Sequence, residues 1–260
     1  MLFHIKNLWQ HRELIYNLTA REIKQRYKQS ILGYFWVILN PFFQMLVMTF
    51  VFSTVMRVPV PGVPYAIFLY AGLLPWTLFA NSLSSSTTSL VDNASLIKQI
   101  NFPREIFPLS TTLAKIVDFF LASTVFILFM IFFRIKIDFN ILWFFSIFII
   151  QFIFTFGLSL LSSAFNLFYR DVQYLLNLVI MLWFYLTPVI YPVEILPERY
   201  RFIFKLNPMA VLINAYREAI LARGMPKVSS MSIALAVALF FLFTGYWVFK
   251  KLEGQFADVV

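Results

Sequence analysis

Cysteine is absent from the 260 residues, and histidine occurs only as His4 and His11. The first absence excludes disulfides, thiol nucleophiles and cysteine-held metals. The second leaves no imidazole outside the N-terminal segment, so no metal site is read in the sequence. Charge is scarce as well. Only 13% of residues are Asp, Glu, Lys or Arg, about half the usual share of a soluble domain. The first thirty or so residues are charged throughout and contain no short apolar core, so no cleavable signal peptide is read there. The few charges are unbalanced: 21 basic against 12 acidic, a net +9. In a water-soluble chain that excess suggests nucleic acid. Here the rest of the composition argues for basic anchors at a membrane face, and nucleic acid is set aside as a partner.

What is present is hydrocarbon. The chain is 61% hydrophobic and 20% aromatic, with mean hydropathy +0.80. So much apolar surface needs a bilayer as its solvent. A helix crosses the hydrocarbon with about 20 mainly apolar residues. Six segments reach that length, near 33–57, 66–90, 107–133, 139–167, 172–190 and 230–249. The link Val58-Pro-Val-Pro-Gly-Val-Pro64 is too rich in proline for helix. Six spans leave both termini on one side. Lys6, Arg12, Arg21, Lys24, Arg26 and Lys28 at one end, and Lys250 and Lys251 at the other, place that side in the cytoplasm. Residues 191–229 then fall outside although they carry Arg199, Arg201, Lys205, Arg217, Arg223 and Lys227. The first span usually decides orientation, so the assignment is kept.

Two polar segments carry further information. Residues 1–32 read as an interfacial helix, with Ile5, Leu8, Ile15 and Leu18 on one arc. A second helix is expected to open at Thr19, where Thr19 and Glu22 form a capping-box pattern. In 191–229, Pro197 fits a helix start, Asn207-Pro208 a cap followed by proline, and Arg223-Gly224 a stop. The helix between is too charged to span, with Arg217, Glu218 and Arg223, yet too apolar for a bare loop. Two short helices dipping partly into the outer leaflet are expected, with two surface helices as the alternative.

Several spans carry polar stripes at helical spacing. The first has Trp36, Asn40 and Gln44; the second Thr77, Asn81, Ser84 and Thr88; the fourth Gln151, Thr155, Ser159, Ser162 and Asn166; the fifth Tyr174, Asn177, Met181 and Tyr185. None of these faces suits lipid. The Ser/Thr-rich second and fourth read as helix packing. The first and fifth, mixing aromatics with amides, read as the lining of a pathway, with Trp183 on the same span. Lys115 and Asp118 lie three residues apart in the third span. They are either a functional pair or a mutually neutralised one facing the bundle.

Four stretches carry a family resemblance. They are Arg21-Glu-Ile-Lys-Gln-Arg-Tyr-Lys-Gln-Ser-Ile-Leu-Gly33 with Trp36 and Asn40-Pro41; Asn93-Ala-Ser-Leu-Ile-Lys-Gln-Ile-Asn-Phe-Pro-Arg104 with Pro108; Tyr169-Arg-Asp171 with Trp183-Phe-Tyr-Leu-Thr-Pro188 and Tyr191-Pro192; and Asn207-Pro208 with Ala215-Tyr-Arg-Glu218. In order and spacing they resemble the permease subunits of ABC-2 type polysaccharide exporters, nearest to the O-antigen and teichoic-acid branch. The resemblance implies an all-α membrane protein with a single transmembrane domain over 1–260. That domain would hold six spans, an N-terminal interface helix within 1–32, a cytoplasmic coupling loop at 93–105 and a re-entrant extracytoplasmic gate hairpin at 191–229. It implies a homodimer enclosing one conduit, two copies of a separate ATPase that hold ATP and Mg, and no cofactor on this chain. The chain has no G-x-x-x-x-G-K-[ST] phosphate loop of its own, so it reads as a transport subunit, not an enzyme. For coupling the resemblance implies Asn93 or Ser95 as cap, Leu96 and Ile97 docking in the ATPase, Lys98 and Arg104 beside them, and Pro103 as terminator. For the gate it implies Tyr191, Glu194, Arg201, Tyr216, Arg217 and Glu218. The expected role is export of a lipid-linked polysaccharide, O-antigen foremost, across the bacterial inner membrane. Teichoic acid, capsule, or a small lipid or drug are alternatives of the same class; a membrane glycosyl- or acyltransferase is the alternative of another.

Overall fold

A computed structural model describes residues 9–28, 32–33, 35–60, 62–99, 102–135, 139–195, 197–221 and 224–259. Among them every regular element is helical. Helix α1 runs over Arg12–Tyr27 and α2 over Phe35–Thr49, continuing as a π-helical turn through Val55. They are followed by α3 (Tyr65–Asp92), α4 (Ala94–Gln99), α5 (Ile106–Phe132), α6 (Trp143–Phe168) and α7 (Val172–Tyr185). The chain closes with α8 (Glu198–Leu206), α9 (Pro208–Ile220), α10 (Val228–Glu253) and α11 (Phe256–Val259).

Five of these stretches are long and apolar enough to cross a membrane: Phe35–Val55, Tyr65–Asp92, Ile106–Phe132, Asn140–Phe168 and Val228–Glu253. They match five of the expected segments to within a few residues. The expected span at 172–190 is shorter. Helix α7 has 14 residues, about 21 Å at 1.5 Å per residue, and gives way to turns after Tyr185. Pro188 supplies the reason, because the residue before a proline is pushed out of helical geometry.

Helix α3 is the hub. Most of its side chains are buried, and α2, α5, α6, α7 and α9 all pack on it. Its internal Pro75 leaves the helix intact, and the Pro75 carbonyl accepts a hydrogen bond from Gln151 Nε2 at 2.7 Å. Helices α6 and α10 cross at glycines. A Cβ at Gly245 would meet the Gly157 carbonyl oxygen, and one at Gly157 would lie 2.5 Å from the Leu242 nitrogen. Backbone therefore touches backbone, the close approach that small residues permit in membrane bundles. The periphery differs. Helix α7 buries no side chain and α2 buries only Met45.

The N-terminal expectation needs one correction. Thr19 opens no helix; α1 runs straight through it. Its hydroxyl donates back to the Ile15 carbonyl at 2.7 Å, a pattern of helix interiors rather than caps. Leu18 is buried in a small core with Leu90, Ile106 and Phe107, and Leu14 and Ile15 pack against that core, which fixes the face of α1 that leads into Thr19. Ile5 and Leu8 lie outside the described residues.

Candidate functional site

A cavity of about 620 Å³ opens between α2, α3, α5 and α7. Each helix contributes a polar face: Trp36, Asn40 and Gln44 from α2; Thr77 and Asn81 from α3; Lys115 and Asp118 from α5; Met181 and Tyr185 from α7. Residues far apart in sequence thus share one wall, because the helical period sets each stripe on one face and α3 gathers the helices. Trp76, Phe119 and Phe184 supply apolar surface between the amides. The result is a mixed lining of flat rings and hydrogen-bonding tips, suited to molecules with both C–H faces and hydroxyl edges.

Other candidates stand elsewhere. Trp183 points into the protein. Its ring meets Phe79 edge-on at 5.2 Å, and its Nε1 donates to Asn207 Oδ1 at 3.0 Å. Asn177 accepts from Ser84 at 2.9 Å, and Tyr174 is exposed a turn or more beyond the cavity lining. The α3 stripe divides: Thr77 and Asn81 line the cavity, while Thr88 bonds Asp92 at 2.7 Å. The α6 stripe is buried between helices, with Ser162 accepting from Thr87 at 2.9 Å.

Beyond the cavity, α9 packs on α3, with Arg217 reaching its first turns, and α8 packs on α9. Asn207 organises this hairpin. Its Oδ1 accepts from the Met209 and Ala210 amides, capping α9 beside Pro208, and its Nδ2 donates to Thr187 Oγ1 at 2.9 Å. Arg217 sits at the centre with only 3% of its surface exposed. Its guanidinium donates to three carbonyls: Phe68 at 3.2 Å, Pro188 at 2.5 Å and Val189 at 2.6 Å. It also lies 3.6 Å from the centre of the Phe68 ring. A flat cation with a fork of donors fits this cradle as an ammonium would not. Gly72 makes the room, since a Cβ there would fall 2.6 Å from Arg217 Nη2. The sequence marked Arg217 as a hairpin charge; its burial beneath Gly72 carried no signal in the pattern.

Of the remaining hairpin residues, Tyr216 is fully buried against Phe144, and Tyr191 donates to the Tyr185 carbonyl at 2.9 Å. Arg201 donates to the Glu194 carbonyl at 2.9 Å. Burial pushes the Glu218 carboxyl above the ordinary range; Lys227 opposes the shift and Glu194 adds to it. Arg223 lies outside the described residues, and Gly224 takes a left-handed φ of +124°.

At the far end of α3 lies α4. Asn93 precedes it and is buried; its side chain donates to the Ser89 carbonyl at 2.7 Å and accepts from Arg21. The expectation that Leu96 and Ile97 dock outward changes in one respect. Ile97 is 3% exposed and packs into the chain's own core with Phe107 and Phe256, because that core is the nearest apolar surface. Ser95, Lys98 and Gln99 form the outward face, with Leu96 half-buried at its edge. Arg104 is engaged internally, its amide donating to Glu253 Oε1 at 3.0 Å. Among the described residues no group of acidic or histidine side chains is arranged to hold a metal.

Five helices long and apolar enough to cross a membrane, three of them lining a cavity with a polar and aromatic wall, define a multi-pass membrane protein. The ABC-2 type transporter family matches residues 13–221, and the chain belongs to that family. It is 36% identical over 249 residues to an O-antigen export system permease of Klebsiella pneumoniae, covering 95% of each chain. An O-antigen export system permease of Myxococcus xanthus is 29% identical over the full length of both. A polysialic acid transport protein of Escherichia coli is 23% identical over 91% of this chain and 92% of its own.

Proposed function

We propose that this chain is the membrane-spanning subunit of an ATP-driven exporter that carries lipid-linked polysaccharide, specifically O-antigen, across the bacterial inner membrane. The cavity carries this reading. Its wall suits a sugar chain, whose rings offer C–H faces to Trp36 and Tyr185 and hydroxyls to Asn40, Gln44 and Asn81. The relatives at 36% and 29% identity are O-antigen permeases, against 23% for the polysialic acid protein, which favours O-antigen over polysialic acid.

The working unit is a homodimer. Helices α2 and α7 flank the cavity and leave their outer sides bare, so a second copy set against them closes the cavity into a conduit. In the bilayer α7 serves as the sixth span, completed by the turns through Ile190, and both termini are cytoplasmic. The hairpin and α4 stand at opposite ends of α3, a helix of 28 residues or about 42 Å. That separation favours α4 as the cytoplasmic docking point for two ATPase subunits, which hold ATP and Mg, and α8–α9 as the exit gate. The cradle of Arg217 lies beside Gly72, about 10 Å along α3, which favours a hairpin set partly within the outer leaflet.

The test is genetic and biochemical together. Deletion of this chain is expected to remove surface polysaccharide, and the purified chain is expected to bring an ATPase with it. A deletion strain with its normal surface polysaccharide overturns the proposal.

A further inference from the structure

Beneath α4 the chain has built something that neither the cavity nor the hairpin uses. Glu105, at the head of α5, is 1% exposed. Its Oε2 meets Lys250 Nζ of α10 at 2.7 Å, and Lys250 also meets Glu253 Oε2 at 2.8 Å. Glu253 in turn receives the Arg104 amide at 3.0 Å, and the Glu253 carbonyl accepts from the Arg104 guanidinium. Two carboxylates and two cations thus bind the loop after α4 to the end of α10. A carboxylate as buried as Glu105 is tolerable because a cation sits against it, and stripping that cation leaves an uncompensated charge.

An aromatic lock lies beside the charges. Phe256 of α11 is fully buried. Its ring meets Phe249 edge-on at 5.1 Å and Phe168 at 6.1 Å, with the Arg104 guanidinium 6.0 Å away. Helix α11 packs on α4 and on α6, and Ile97 of α4 belongs to the same small core as Phe256. From there α10 leads to its glycine crossing with α6, where Gly245 touches Gly157 and no side chain can yield. Rigid contacts are therefore continuous from α4 to α6.

We propose that Arg104, Glu105, Lys250, Glu253 and Phe256 form a clamp that passes displacement of α4 to α10 and α6. These are positioning residues for energy coupling, and the proposal rests on α4 being the ATPase docking point. A rigid relay transmits because its parts cannot shift separately; a loosened clamp lets α4 move while the spans stay still.

The experiment uses the full-length chain with its ATPase, expressed in a strain deleted for this chain. Surface polysaccharide per cell, the ATPase rate of the purified complex, and the membrane level of the chain are all measured. Glu105→Lys and Lys250→Glu are each expected to lower export per ATP hydrolysed by about fivefold or more, with the ATPase still co-purifying. Joining the two restores the opposite charges and is expected to recover at least half of the loss. Single variants that export at the wild-type ratio, or a double variant no better than either single, overturn the clamp. If the single variants fail to accumulate, Glu105→Gln and Phe256→Leu replace them, with the same fall expected and an unchanged ratio contradicting it. The parent deletion strain keeps the two proposals apart. Normal polysaccharide there sinks the exporter reading, whereas loss there with unchanged ratios in the variants sinks the clamp alone.

Discussion

Arg217 holds three pieces of backbone with one side chain: the first turns of α3 through Phe68, the turn after α7 through Pro188 and Val189, and α9 through its own Cα. Arg217→Ala strands those carbonyls away from water and is expected to cost about 3 kcal/mol or more, seen as a fall in the melting temperature of the purified protein. Gly72→Ala tests the cradle from the other side. The new methyl would fall 2.6 Å from Nη2, the tip of a flexible side chain, so the guanidinium must shift in its cradle, and a loss smaller than that of Arg217→Ala is expected. Combining the two is expected to cost little more than Arg217→Ala alone, since the obstructed group is then gone. Glu218 gives the opposite sign. Burial raises its folded pKa, so the folded state binds the extra proton and stability falls as pH rises from the ordinary carboxylate value. Glu218→Gln is therefore expected to raise the melting temperature at pH 7 and to flatten its decline above about pH 4.5.

At the scale of helices, the readable part of the sequence was its hydrophobic period. Five spans, the proline-rich break at 58–64 and the Asn207-Pro208 cap all follow from local chemistry. The polar stripes were legible as faces but not as destinations. Trp36 and Trp183 are both aromatic residues on apolar spans, yet one lines the cavity and the other meets Phe79 and Asn207. Which way each points depends on α3, a partner that periodicity does not name. The glycine crossing was silent for the same reason, because Gly157 and Gly245 acquire meaning only when α6 and α10 touch. Gly245→Ala is expected to destabilise by about 1–3 kcal/mol, since the new methyl meets backbone rather than a side chain that can swing aside. Tyr185→Ala and Trp183→Ala separate cavity from core: the first is expected to lower export with normal protein levels, the second to lower the protein level itself. Immunoblotting of membranes beside surface polysaccharide distinguishes them.

For the whole molecule, the composition established a bilayer as solvent, and apart from Lys115 and Asp118 within α5 the sparse charges lie at or beyond the ends of the long apolar helices. The natural lack of cysteine makes the orientation directly measurable. A cysteine in place of Arg201 is expected to react with an impermeant thiol reagent from outside the inner membrane, and one in place of Lys98 only once the cytoplasmic face is opened. Reversed labelling contradicts the assignment of gate and docking ends. The cargo is settled in cells. Deletion of the chain, with complementation by the wild type and by Tyr185→Ala, is followed by separate quantification of surface O-antigen and of undecorated lipid-linked polymer left inside. An exporter subunit predicts loss at the surface with accumulation inside, full rescue by the wild type and partial rescue by the variant. Unchanged surface O-antigen in the deletion strain, or its loss without internal accumulation, contradicts the assignment.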